Sequence, residues 1–173
     1  FNKSSKDYEQ YKTKAKFSLA NQIYSTFDQA INNKYDVKIN EKGDYEVYSH
    51  HGKNPTGKNP VEWAKEVEKL KAGEIFLNSI DRDGTSEGYD TKLIKLISDA
   101  VKIPVIACGG VGVFEHFIDG IEEGNASAVA AGNIFNYTEN SVIRAKKTLK
   151  EAGIPIRKII KTKNNFSLKI IKI

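Results

Sequence analysis

At 173 residues the chain is long enough for one domain with a substantial core, and Lys and Arg exceed Asp and Glu only by 27 to 22. That net charge of +5 is spread along the chain, with a local cluster at Arg157–Lys163, and reads as a solvated surface with no nucleic-acid partner. One cysteine, Cys108, excludes an intrachain disulfide, and the lack of a long apolar run or signal-peptide core points away from membranes. A cytoplasmic protein is expected.

The sequence contains no methionine, so Phe1 is not an ordinary translation start, and a piece of a longer chain is expected. In chain order, the first helix is expected over Asp7–Phe27, with Tyr8, Tyr11, Ala15, Leu19 and Ile23 on one stripe. Strands follow at Ala30–Ile39 and Tyr45–Ser49 around a turn at Lys42–Asp44, and His50–Gly57 reads as loop. Asn59-Pro60 is an N-cap followed by proline at the first helical position; it starts a helix over Pro60–Ala72 that Gly73 closes.

Glu74–Ser79 then reads as a buried strand, followed by a Gly-rich loop at Asp81–Gly88 and a helix over Thr91–Val101 capped by Asp90. Ile103–Ala107 is a short apolar strand that runs into Cys108-Gly109-Gly110-Val111-Gly112, before a helix over Phe114–Glu123. Ala126–Ala131 is a small-residue strand, Gly132-Asn133 follows it, and a last helix is expected over Ser141–Ala152. Strands apolar on both faces that alternate with helices belong to a parallel α/β sheet, either doubly wound or barrel-like. The tail Ile159–Ile173 has no clear place in either, and a disordered end, a frame-altered end and an extra strand all remain open.

Four segments carry candidate chemistry. Glycines at 109, 110 and 112, between a strand and a helix, let backbone N–H groups approach an anion, though a tight strand–helix turn needs them equally. Gly132-Asn133 repeats the pattern one unit later; paired small-residue loops after two successive strands suit the phosphate site of a (β/α)8 barrel, whereas a doubly wound fold puts its Gly-rich loop first. Asp81, Asp83 and Gly84 at a strand end suit hydroxyl recognition or acid–base work, and an Asp-rich turn equally. Asp36, alone near a strand end, reads from pattern as a surface or turn residue.

His50 and His51 lie in a polar loop without a cysteine or carboxylate pattern, so no metal site is expected. His116 falls on a helix. Cys108 reads as an inert thiol in the anion loop, because no His–carboxylate pair accompanies it.

Taken together, GEIFLNSIDRDGTSEGYD (73–90), IPVIACGGVG (103–112), ASAVAAGNIF (126–135) and EAGIPIR (151–157) resemble the cyclase subunit of imidazole glycerol phosphate synthase. The resemblance implies a (β/α)8 barrel represented by about its strands four to eight, with a partial barrel over 1–157 and a basic tail over 158–173. It implies a lyase-type cyclase of histidine biosynthesis that needs no cofactor. The enzyme takes ammonia from a partner glutaminase subunit and adds it to a phosphorylated ribonucleotide.

By that resemblance Asp36 matches one of two catalytic aspartates, and the other, on the first strand, falls outside these residues. The chain alone is therefore expected to be inactive. Asp83, Gly84, Gly109, Gly110, Gly132 and Asn133 match substrate- and phosphate-binding positions, Asn2 and Lys3 a second phosphate site, and Glu74 the ammonia gate at the barrel floor. Asn78 and EVYSHHG (46–52) are more similar to a paralogous branch that amidates surface-polysaccharide sugars. A noncatalytic phosphate-binding half-barrel and a degenerate gene product remain as alternatives. Such a half-barrel leaves two open sheet edges, through which self-association is expected.

Overall fold

The computed structural model describes residues 35–137, 141–156 and 169–172, all within the unit Tyr35–Ile173. The expected helix at Asp7–Phe27, the first part of the strand expected from Ala30, and the candidate residues Asn2 and Lys3 lie outside the described residues.

A hairpin opens the described chain. β1 (Tyr35–Ile39) and β2 (Tyr45–Ser49) pair antiparallel, with Asp36 opposite Tyr48 and Ile39 opposite Tyr45. Asn40 organises the turn between them: its side-chain oxygen accepts from the N–H groups of Lys42 and Asp44, both at 3.0 Å, and Gly43 takes a φ of +85°. The expected loop after β2 contains a further short strand, β3 (Asn54–Pro55), antiparallel to β2.

α1 (Pro60–Lys69) starts as the sequence indicates, with Asn59 Oδ1 accepting from Val61 and Glu62 N–H. It ends earlier than expected. Lys71, not Gly73, takes the left-handed position at φ +67°, while Ala72 N–H reaches Val67 O and Lys71 N–H reaches Glu68 O. Those paired bonds form a Schellman closure, and a non-glycine residue occupies its left-handed position. α2 (Thr91–Ser98) is capped by Asp90, whose Oδ1 accepts from Leu93 N–H at 2.9 Å.

Three parallel pairings form the centre of the sheet. β4 (Ile75–Ser79) lies between β1 and β5 (Val105–Cys108), and β5 pairs with β6 (Ala128–Ala131). Helix α3 (His116–Glu122) separates β5 from β6; α4 (Asn133–Tyr137) and α5 (Ser141–Glu151) follow. The whole sheet has the order β3-β2-β1-β4-β5-β6-β7, where β7 is Lys169–Lys172.

Both faces of this parallel centre are covered, as the unbroken apolar strands require. Val37, Leu77, Ala107 and Val129 face Leu93, Ile97, Phe117, Ala145 and Leu149 in the main core beneath the helices. Phe76, Ile106, Cys108, Ala128 and Ala130 make a second, smaller cluster on the other face. In a (β/α)8 barrel that second face is the interior. The sheet is open, which makes this an α/β fold of partial-barrel form.

The tail resolves one open alternative. β7 pairs antiparallel with β6, from Ala131 opposite Lys169 to Ala128 opposite Lys172. The outward backbone groups of β6 thus find partners within the same chain, and the outer strands of the sheet are β3 and β7.

Candidate functional site

Three loops meet at the C-terminal ends of β4, β5 and β6. Ser79 O turns the first by accepting from Arg82 and Asp83 N–H at 3.2 and 2.9 Å, and Thr85 Oγ1 donates back to Arg82 O at 2.8 Å. The second loop begins at Gly109 and the third at Gly132. Between them is a small pocket lined by Asp83, Gly84, Ser86, Cys108, Gly109, Gly110, Val111, Ala131, Gly132 and Asn133. Asp83, Gly84, Gly109, Gly110, Gly132 and Asn133, which the sequence spreads over 51 positions, are thus brought together on one site.

The glycines differ in what they are for. Gly109 and Gly110 have φ of +97° and +99°, a region L side chains rarely adopt. A Cβ on Gly110 would lie 2.1 Å from Gly88 O, and one on Gly109 would lie 2.7 Å from Ser79 O. Loop packing alone therefore demands glycine at both. Gly132 has neither reason: its φ is not left-handed, and a Cβ there would meet nothing within 4 Å. The space it leaves belongs to the pocket.

Asp36 enters from the interior face. It is only 4% exposed, and its Oδ1 accepts from Asn78 Nδ2 at 3.0 Å. The register places Asp36 beside Asn78 on β4, and Asn78 beside Cys108 on β5. Laterally paired residues share a face, so a polar row crosses three strands and ends at Cys108 in the pocket wall. The aspartate that stands alone near a strand end in the sequence is thus a buried residue of the site face.

Residues beyond the pocket lining tie the loops together. Asp81 Oδ2 accepts from Ile39 N–H at 2.7 Å, which fixes the hairpin to the loop after β4. Tyr45 Oη donates to both Asp90 oxygens at 3.0 Å; burial first, then this bond and the Asp90 charge, push its pKa up to about 12. Tyr89 Oη donates to Ala130 O at 2.8 Å, and burial raises its pKa well above the ordinary tyrosine range. His116 Nδ1 accepts from Gly112 N–H at 3.2 Å and so braces the second loop. The spacing of Gly112 and His116, four residues apart at a helix start, was the available signal.

Glu74 is exposed and immediately precedes β4, at the strand end opposite the pocket. His50 and His51 are exposed, at positive φ beside β2, with His50 Nδ1 3.1 Å from Ser49 Oγ. Among the described residues no group of three His, Cys, Asp or Glu is placed to hold a metal, and no helix is long and apolar enough to cross a membrane.

Loops converging at the C-terminal ends of successive parallel strands, with helices on one face and an apolar interior on the other, define a (β/α)8-barrel type of protein. The family model described as "Histidine biosynthesis protein" matches residues 12–141, well over half of the chain. The chain belongs to that family, whose domain is a (β/α)8 barrel.

Proposed function

We propose that this chain carries the C-terminal site of an ammonia-dependent cyclase. It would accept ammonia from a glutaminase partner and act on a phosphorylated ribonucleotide. The observation that carries the reading is the joining of two features on one face: a glycine-lined pocket, and a buried carboxylate, Asp36, in the row that runs into it. The pocket supports phosphate-ester binding because backbone and small residues line it and Gly132 keeps it clear. Asp83 on its rim is a ready acceptor for hydroxyls of the same ligand. Asp36 is the acid–base residue, and Glu74, at the other end of β4, is suited to the ammonia entrance.

The chemistry asks little more of these side chains. Ammonia attacks the ketone carbon, whose oxygen leaves as water, and ring closure on the formimino carbon breaks its bond to the aminoimidazole nitrogen; a fixed carboxylate takes the proton ammonia loses and returns it to that departing nitrogen. The test is incubation of the native polypeptide with nitrogen-15 ammonia and the phosphoribulosyl-formimino carboxamide ribonucleotide. Label in the ring of imidazole glycerol phosphate is the expected result, and unlabelled, unconsumed substrate would count against the reading.

A second reading rests on Asn78 and Glu46–Gly52, which are more similar to the sugar-amidating branch. In that case ammonia is consumed with a sugar substrate and the ribonucleotide is left untouched.

A further inference from the structure

We infer that Asn78 is the positioning residue for Asp36: its amide holds Oδ1 of the carboxylate and directs Oδ2 to the proton transfer. The inference rests on the acid–base role proposed for Asp36.

An ionised carboxylate only accepts, so the neighbouring amide must present its NH2 group to it. The 3.0 Å contact from Asn78 Nδ2 to Asp36 Oδ1 has that sense. The paired register of the two residues on adjacent parallel strands keeps the donor level with the acceptor. Asn78 Oδ1 is buried and has no hydrogen-bond partner among the described residues. It lies against the second loop, where a Cβ on Gly109 would come within 3.0 Å of it, so glycine at 109 leaves the amide room.

A residue selected for packing alone would not look like this. The apolar side chains clustered on this face are Phe76, Ile106, Cys108, Ala128 and Ala130, and an aliphatic residue at 78 would join them at the cost of the donor to Asp36 Oδ1. A buried acceptor without a partner costs free energy, and such a group in a folded protein calls for a reason. The bond to Asp36 is the reason available. It removes the rotational freedom of a carboxylate that must stand in one place for proton transfer.

The experiment compares Asn78→Thr with Asn78→Val, which have nearly the same shape and differ by one hydroxyl donor. Thermal midpoints, kcat and KM are measured for both and for the wild type, each in the polypeptide as its native cell produces it, with ribonucleotide and free ammonia. Asn78→Val is expected to melt lower than the wild type, because the buried Asp36 Oδ1 loses its donor, and to lose about tenfold or more in kcat at an unchanged KM. Asn78→Thr is expected to keep kcat within a few-fold. Side-chain amide NMR on the wild-type chain supplies a readout independent of turnover: one Asn78 Nδ2 proton should resonate apart from the other as a carboxylate-bonded donor, and lose that offset in Asp36→Ala. Full kcat in Asn78→Val, or an Asn78 amide indifferent to Asp36, would overturn the assignment. A wild type without turnover removes the cyclase reading alone, and the amide spectrum then decides whether Asn78 holds the carboxylate.

Discussion

Gly88 donates its backbone N–H to Gly110 O at 2.8 Å, and this bond fastens the loop after β4 onto the loop after β5. The approach is so close that a Cβ on Gly110 would lie 2.1 Å from Gly88 O. Gly110→Ala is therefore expected to destabilise the fold by at least about 1–3 kcal/mol from backbone strain alone, with the steric clash in addition. Urea unfolding at a fixed pH measures it. A variant as stable as the wild type would mean the two loops are not held as described.

Gly132 makes the opposite prediction. Its Cβ would meet nothing, so Gly132→Val should leave stability within about 0.5 kcal/mol, the usual range for a site without packing or strain. Its effect should appear in ligand binding. Affinity for inorganic phosphate is expected to fall roughly tenfold, on the order of 1.4 kcal/mol. Calorimetry on the two proteins checks it, and equal affinities would remove Gly132 from the site.

These two glycines show what the sequence could and could not reveal. Strand and helix identities from Tyr45 to Glu151, the short β3 and α4 excepted, were legible because period, caps and small-residue loops agree, and Asn59-Pro60 and Asp90 cap helices as their types imply. Ends were less legible: Lys71 rather than Gly73 closes α1, because two carbonyls needed N–H partners before the glycine was reached. Which glycine serves the turn and which serves the pocket depends on atoms up to dozens of positions away. Asp36 is the clearest case. By pattern it is a lone turn residue; only the register with Asn78 and Cys108 puts it on the site face. The place of β7 was equally hidden, since its antiparallel partners lie 38 to 44 residues earlier.

Tyr45 gives the alkaline limb of stability. Its pKa is pushed from 10.0 to about 12 by burial and by Asp90, so between these values the folded chain keeps a proton that the unfolded chain has lost. The stabilising contribution is thus complete below pH 10 and falls as pH rises toward 12. Tyr45→Phe should show a shallower loss of stability across that window than the wild type. Parallel slopes in urea titrations at several pH values would contradict the assignment.

Phe117 anchors the core beneath the site. It is fully buried, and its ring stacks on Phe135 with centroids 5.9 Å apart. Phe117→Ala is expected to cost about 3–5 kcal/mol, the usual loss when a buried aromatic leaves a cavity. Because Phe135 lies on α4, just past Asn133, the same variant should loosen the third loop of the pocket. Hydrogen exchange at 132–137 would report that loosening, and unchanged protection there would separate the core from the site.

The cyclase reading is tested most directly by steady-state turnover of the ribonucleotide with free ammonia in the native polypeptide and in its Asp36→Asn variant, with substrate binding followed in the same samples. The expected result is a loss of about a hundredfold or more in kcat, with binding retained, as removal of a general acid–base group brings. An Asp36→Asn variant that turns over at the wild-type rate, or that fails by losing substrate binding, would contradict the role given to this carboxylate.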